Sequence, residues 1–112
     1  MSCIFCQIIK KEIKSEFIFE NENMVVFKDI NPKAPMHLLL VPKKHLGSLN
    51  ALSEGDKAIM GDIIYQAKIL AETFGLDKTG YRLLTNTGSD SGQEVMHIHF
   101  HLLGGKPLAS IG

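Results

Sequence analysis

A chain of 112 residues, 45% of them hydrophobic, is large enough to bury one core and too small for two domains, so residues 1–112 read as a single domain without a separate cofactor-binding half. Twelve basic and twelve acidic side chains cancel, with no run of either sign, which argues against a broad nucleic-acid or anionic-membrane surface because those depend on many basic contacts. No apolar run approaches a membrane span, and Lys10 and Lys11 interrupt the N-terminal stretch before it reaches signal length, so a cytoplasmic protein with no nucleic-acid or membrane partner is expected.

Residues 3–11, CIFCQIIKK, space Ile4, Phe5, Ile8 and Ile9 as a short amphipathic helix would. They also hold the only two cysteines, Cys3-x-x-Cys6, a pattern that in a reducing compartment suggests a metal or redox pair before a disulfide. FIFE (17–20) and MVVFKDI (24–30) flank the polar tract NEN and predict a hairpin. After Pro32 and Pro35, HLLLVPKKH opens with an apolar run suited to a strand buried on both faces; Pro42 should end its pairing or sit at an edge.

The long helix is predicted over residues 53–75. Ile59, Met60, Ile63, Ile64, Ala67, Leu70, Ala71 and Phe74 recur at steps of three and four, with Ser53 as N-cap and Gly75 just past the C-terminus. YRLLTN (81–86) and VMHIHFHLL (95–103) supply two further strands around the loop TGSDSGQE. The whole reads as an α+β domain with a five-stranded, mostly antiparallel sheet, one long helix and one short one.

HIHFH, residues 97–101, places three of the five histidines at alternate positions. In an extended strand His97, His99 and His101 share one face, each about 6 to 7 Å from the next, while Ile98 and Phe100 turn to a core. Three imidazoles in five residues, in a chain otherwise poor in histidine, point to a function rather than to an idle half-exposed face. Three in a straight row reach one metal ion less easily than two, so the row divides its labour. The glycine-bearing loop TGSDSGQ just before it can aim backbone N–H groups at an anion, although taken alone it reads as an ordinary hairpin loop. Beside an imidazole, such a loop is the minimum equipment for nucleophilic attack on phosphorus, since neutral histidine is a usable nucleophile at pH 7.

The motif His-φ-His-φ-His-φ-φ in HIHFHLL, with φ apolar, resembles that of the histidine triad (HIT) family, closest to its small nucleoside phosphoramidase branch. CIFCQIIKKEI, FKDINPKAPMHLLLVPKKH, the long helix, GYRLLTNTGSDSGQEV and the closing Gly104-Gly105 fall in family order over nearly the full length. The resemblance implies a homodimer and a purine nucleotide substrate. His99 corresponds to the nucleophile that attacks the α-phosphorus of a nucleoside 5′-phosphoramidate, releases the amine and forms a nucleotidyl-histidine that water cleaves. His101 corresponds to the position that contacts phosphate, and His37 to the upstream histidine of the site. Asn86 corresponds to the asparagine that orders the phosphate loop; Gly92 and the Val95 backbone fall where phosphate oxygens bind. Asp29 falls where a carboxylate receives the ribose hydroxyls, and Phe5, Ile8, Phe27 and Ile30 where the base is lined. Taken by themselves, Asp29 reads as a turn residue and those four as plain core.

Glu94 stands where the eukaryotic branch has a serine near the leaving group. An ionised carboxylate there repels phosphate, so Glu94 either points away or meets a cationic amine. The cysteines form a second departure. With two histidines they make a tetrahedral structural zinc site chemically reasonable, His45 and His97 being the third and fourth ligands, as in some bacterial members; the alternative is a reduced pair buried as small apolar residues. Competing functions are a dinucleoside polyphosphate hydrolase or nucleotidyltransferase using the same covalent step, and a nucleotide-binding interaction protein with vestigial catalysis.

Overall fold

A computed structural model describes residues 3–111. They run as α1 (Ile4–Ile9), β1 (Phe19–Glu20), β2 (Met24–Lys28), β3 (Met36–Pro42), α2 (Lys57–Thr73), β4 (Tyr81–Leu84) and β5 (Phe100–Gly104), with 3₁₀ turns at Leu49–Ala51, Glu54–Asp56, Leu76–Lys78 and Ser89–Ser91. The strands make one sheet in the order β1-β2-β3-β5-β4, and each of the four pairings is antiparallel. Among the described residues no helix is long and apolar enough to cross a membrane.

Strand alternation sorts the apolar residues onto two faces. Met24, Val26, Leu38, Leu40 and Leu102 pack on the α2 side with Ile63, Ala67, Leu70 and Ala71. Val25, Phe27, Leu39 and Val41 pack on the other side against Phe5 and Ile8 of α1. β2 and β3 are therefore covered on both faces, which is why MVVF and HLLLV read as unbroken apolar runs. Ile98 and Phe100 join the α2-side core, as their alternation with the histidines requires.

Several boundaries differ from the sequence reading, each for a local reason. β2 stops at Lys28 rather than at residue 30, because the Asp29 carboxylate accepts from the Asn31 N–H at 2.8 Å and turns the chain. β4 stops at Leu84 rather than at residue 86; just beyond, the Thr85 hydroxyl donates to the His99 carbonyl at 2.7 Å. The last strand begins at Phe100 rather than near residue 95. Pro42, the final residue of β3, has no N–H to extend the ladder, and the Ile98 N–H instead donates to the Leu46 carbonyl at 2.7 Å. Ser53 does start the long helix, through a 3₁₀ turn in which its N–H donates to the Asp56 carboxylate at 2.9 Å. Gly75 follows the helix in the left-handed region at φ 76°. Of the predicted apolar stripe, Ile64 and Phe74 are corrected: they are 55% and 38% exposed, outside the covered face.

Candidate active site and metal centre

The short helix α1 leaves part of its side of the sheet uncovered. The resulting cleft, about 270 Å³, has Phe5, Ile8, Phe27 and Leu39 as its apolar wall, with Asp29, Asn86, Glu94, His99 and His101 on its polar side. Phe5, Ile8 and Phe27 are buried, whereas Ile30 is 92% exposed and forms only the rim. Ile4 and Leu39 also line the cleft and were missed: Ile4 reads as one more member of the helix stripe, and Leu39 is hidden inside an apolar run. A second concavity adjoins it, sharing Asp29, Asn86, Glu94 and His101 and adding Lys33 and His37.

The hydrogen bonds set the protons on the imidazoles. His99 Nδ1 lies 2.8 Å from the His97 carbonyl, which can only accept, so Nδ1 carries the proton and Nε2 keeps its lone pair. The Lys33 backbone N–H donates to His37 Nδ1 at 3.0 Å, so the His37 proton sits on Nε2. That Nε2–H donates to His101 Nδ1 at 2.9 Å, with the Asp29 carboxylate 3.4 Å away. His101 is thereby left with its proton on Nε2. The row carries opposite tautomers, an acceptor nitrogen on His99 and a donor on His101, with ring centroids 5.1 Å apart, somewhat nearer than the ideal strand repeat.

Both supporting rings stay neutral. Burial pulls His37 below the ordinary imidazole value, against the opposing field of Asp29. His101 is pushed down to about 4, first by burial and then by the neighbouring imidazoles of His99 and His37. Asp29, His37 and His101 bring three donor atoms within 4.8 Å of one another. They suit a proton relay rather than a cation, since His37 would have to surrender its only proton to ligate through Nε2.

The loop before the row is built around Gln93, another residue missed in the sequence. Its buried amide accepts from the Gly88 N–H at 2.8 Å and donates to the carbonyls of Gly47 at 2.8 Å and Val95 at 3.0 Å. Only a side chain with both a donor and an acceptor serves all three, and nothing in the pattern GQE distinguishes it beforehand. Gly92 sits at φ 86°, a backbone that L side chains rarely adopt, and its N–H closes the turn onto the Ser89 carbonyl at 3.0 Å. Gly92, Val95 and Asn86 all border the cleft. Glu94 is exposed and borders both concavities.

His97 faces a different centre. It is fully buried, and its Nε2–H donates to the Pro42 carbonyl at 2.8 Å, which leaves Nδ1 as a lone pair. Around that nitrogen stand Cys3 Sγ at 3.3 Å, Cys6 Sγ at 3.7 Å and His45 Nδ1 at 3.1 Å, and Cys6 Sγ lies 3.3 Å from His45 Nδ1. Tetrahedral zinc with bonds of about 2.0–2.3 Å holds adjacent donors about 3.3–3.8 Å apart. The three sulfur–nitrogen separations fall in that range and the two imidazole nitrogens, at 3.1 Å, stand slightly inside it, so the donor set suits that ion. The Pro42 carbonyl behind His97 supplies the hydrogen bond that orients a ligating imidazole. Burial lowers the His97 pKa, which favours the neutral form a metal requires, while burial and the nearby Cys3 thiol raise that of Cys6 when no cation is there to stabilise the thiolate.

Residues 10–108 match the family model described as HIT domain. A protein named purine nucleoside phosphoramidase from Escherichia coli (strain K12) is 42% identical over 105 residues, covering 94% of this chain and 88% of that one. Protein HitA of Neisseria gonorrhoeae is 44% identical over 103 residues, covering 92% of this chain and 95% of its own. Among solved structures, a HIT family hydrolase from Legionella pneumophila Philadelphia 1 superimposes with a TM-score of 0.94 at 45% identity, over 96% of each chain. A histidine triad protein from Clostridium difficile gives a TM-score of 0.94 at 43% identity, over 100% of this chain and 97% of that one.

Proposed function

The chain belongs to the HIT domain family of hydrolases, and from that premise we propose that it cleaves the P–N bond of purine nucleoside 5′-phosphoramidates. The observation that carries this reading is the 2.8 Å bond from His99 Nδ1–H to the His97 carbonyl, which makes Nε2 the nitrogen available for attack in a cleft with one apolar and one polar wall. The lone pair of His99 Nε2 forms a bond to phosphorus; the P–N bond breaks, its electrons pass to the amine nitrogen, and the departing amine takes a proton from solvent. His101 Nε2–H donates to a phosphate oxygen as charge builds there, and His37 holds it in that tautomer. Water then attacks the nucleotidyl-histidine, restoring His99 and releasing the monophosphate. Phe5, Ile8 and Phe27 take the base, Ile30 folds over it from the rim, Asp29 receives the ribose hydroxyls, and Asn86, Gly92 and the Val95 N–H border the phosphate.

Zinc is the proposed structural ion, held by Cys3, Cys6, His45 and His97. Four protein ligands leave no open position, so it supplies cross-linking and no chemistry. A reducing compartment such as the cytoplasm keeps both thiols available to it. A second copy of the chain is the proposed partner: β4 is a free sheet edge, and it carries the exposed Tyr81, while Ile64 and Tyr65 on α2 are 55% and 57% exposed.

Rapid denaturation in alkali of the protein reacting with a purine nucleoside phosphoramidate tests the reading, because a bond between phosphorus and an imidazole nitrogen survives base and is lost in acid. The expected result is nucleotide bound to His99, with monophosphate and free amine as products. Nucleotide found on another residue, or on none, overturns it; turnover of dinucleoside polyphosphate to two nucleotides, with none of the phosphoramidate, would favour the same covalent step on a different leaving group.

A further inference from the structure

Two contacts tie the cysteine–histidine cluster to His99. The first is Phe5, which sits between Cys3 and Cys6 on a helix of six residues whose N-cap, Cys3, makes no side-chain capping bond. A helix so short does not persist by itself. What holds it is the burial of Phe5 and Ile8 together with the two thiols that reach the histidines. The Phe5 ring meets His99 edge-on, with centroids 5.1 Å apart and planes at 81°, and also packs on His97 at 5.9 Å and Phe27 at 5.7 Å. The second contact is the His97 carbonyl, which accepts the His99 Nδ1–H, while the ring of that same His97 is fixed by Pro42 on one side and faces the thiols on the other.

We propose that Phe5 is a positioning residue for His99, and that metal held by Cys3, Cys6, His45 and His97 sets the pose of the nucleophile and the wall of the nucleotide cleft through Phe5 and the His97 carbonyl. An ion there fixes both contacts at once. Without it α1 is free to lift, and the cleft loses Phe5, Ile4 and Ile8 while His99 loses its edge-on neighbour. This rests on the reading of His99 as nucleophile and of the cluster as a zinc centre.

The test compares the 112-residue chain loaded with zinc, stripped by a chelator, and carrying Phe5→Leu with zinc retained. Three quantities are measured: zinc stoichiometry, the Kd for adenosine monophosphate, and the NMR resonance of the His99 Nδ1–H proton. Stripping is expected to weaken the nucleotide affinity by about tenfold and to broaden or shift that resonance. Phe5→Leu is expected to keep one zinc per chain yet weaken affinity about three- to tenfold and shift the same resonance. Failure to bind zinc, or an affinity and a resonance that respond to neither metal removal nor Phe5→Leu, overturns the inference. Should the zinc-loaded chain bind no adenosine monophosphate while the resonance still moves with metal and with Phe5→Leu, the positioning stands and the nucleotide assignment falls.

Discussion

The two faces of the sheet are packed with the same kinds of residue and end in different uses. On one, the 17-residue helix α2 covers β2, β3 and β5 completely: Met24, Val26, Leu38, Leu40, Ile63, Ala71 and Leu102 have no accessible surface. On the other, the six-residue α1 covers Val25 and Val41 and stops, leaving Phe27, Leu39, His99 and His101 around an open cleft. A covering element too short for its sheet turns core surface into the wall of a cleft. The same stretch of chain serves both, Ile98 and Phe100 facing the closed side and His99 and His101 the open one. Mutations should accordingly separate stability on the closed face from activity on the open one.

The largest effect is expected at His99. His99→Ala should lower single-turnover P–N cleavage by about 10⁴-fold or more with unfolding nearly unchanged; residual activity within tenfold of wild type would remove the contrast in use between the faces. On the closed face, Ile63→Ala should destabilise by about 2–5 kcal/mol in urea titration and leave nucleotide affinity of the folded protein within twofold, since Ile63 is wholly buried under α2. Gln93→Ala sits between these cases. Losing the amide leaves the Gly88 N–H and two carbonyls without their partner, so a stability loss of about 1–3 kcal/mol should come with a raised KM.

The open face should also carry a pH dependence in the imidazole range. His37 and His101 have folded pKa values below those of the unfolded chain, so the unfolded state takes up protons first as pH falls. Their stabilising contribution is fully present above the unfolded value of about 6.5 and is lost as pH falls from there toward about 4, the His101 value. Urea midpoints measured across that window should decline in the wild type and decline less in His101→Asn; parallel curves would show that these imidazoles do not set the trend. The smallest effect belongs to the rim. Ile30→Ser should change stability by less than about 0.5 kcal/mol, because the side chain is 92% exposed, and weaken nucleotide affinity only a few-fold.

Much of this was legible in the residues. Alternation over 97–101 separated imidazoles from core, and the long runs at MVVF and HLLLV announced strands buried on both faces. The helix stripe over-reached at Ile64 and Phe74, because a 3.6-residue period marks apolar spacing and says nothing of how wide the covering sheet is. The proton pattern of the triad was not legible. It depends on the Lys33 N–H and the His97 carbonyl, backbone groups whose partners are fixed only once the chain has folded. Gln93 was hidden for the same reason, as its three partners are backbone groups, two in its own loop and one, the Gly47 carbonyl, 46 positions away.

The bond between Cys3 and His97 spans 94 positions, nearly the whole chain. The two thiols and the buried imidazole of His97 come from distant stretches of the described residues, so the cluster closes only when both have docked. Contacts of such sequence separation are slow to form, because the long stretch between them must first be brought to closure. Wherever those two stretches separate, the thiols lose the imidazoles that flank them and stand open to oxidation, so the contact that closes the domain also shields its sulfurs.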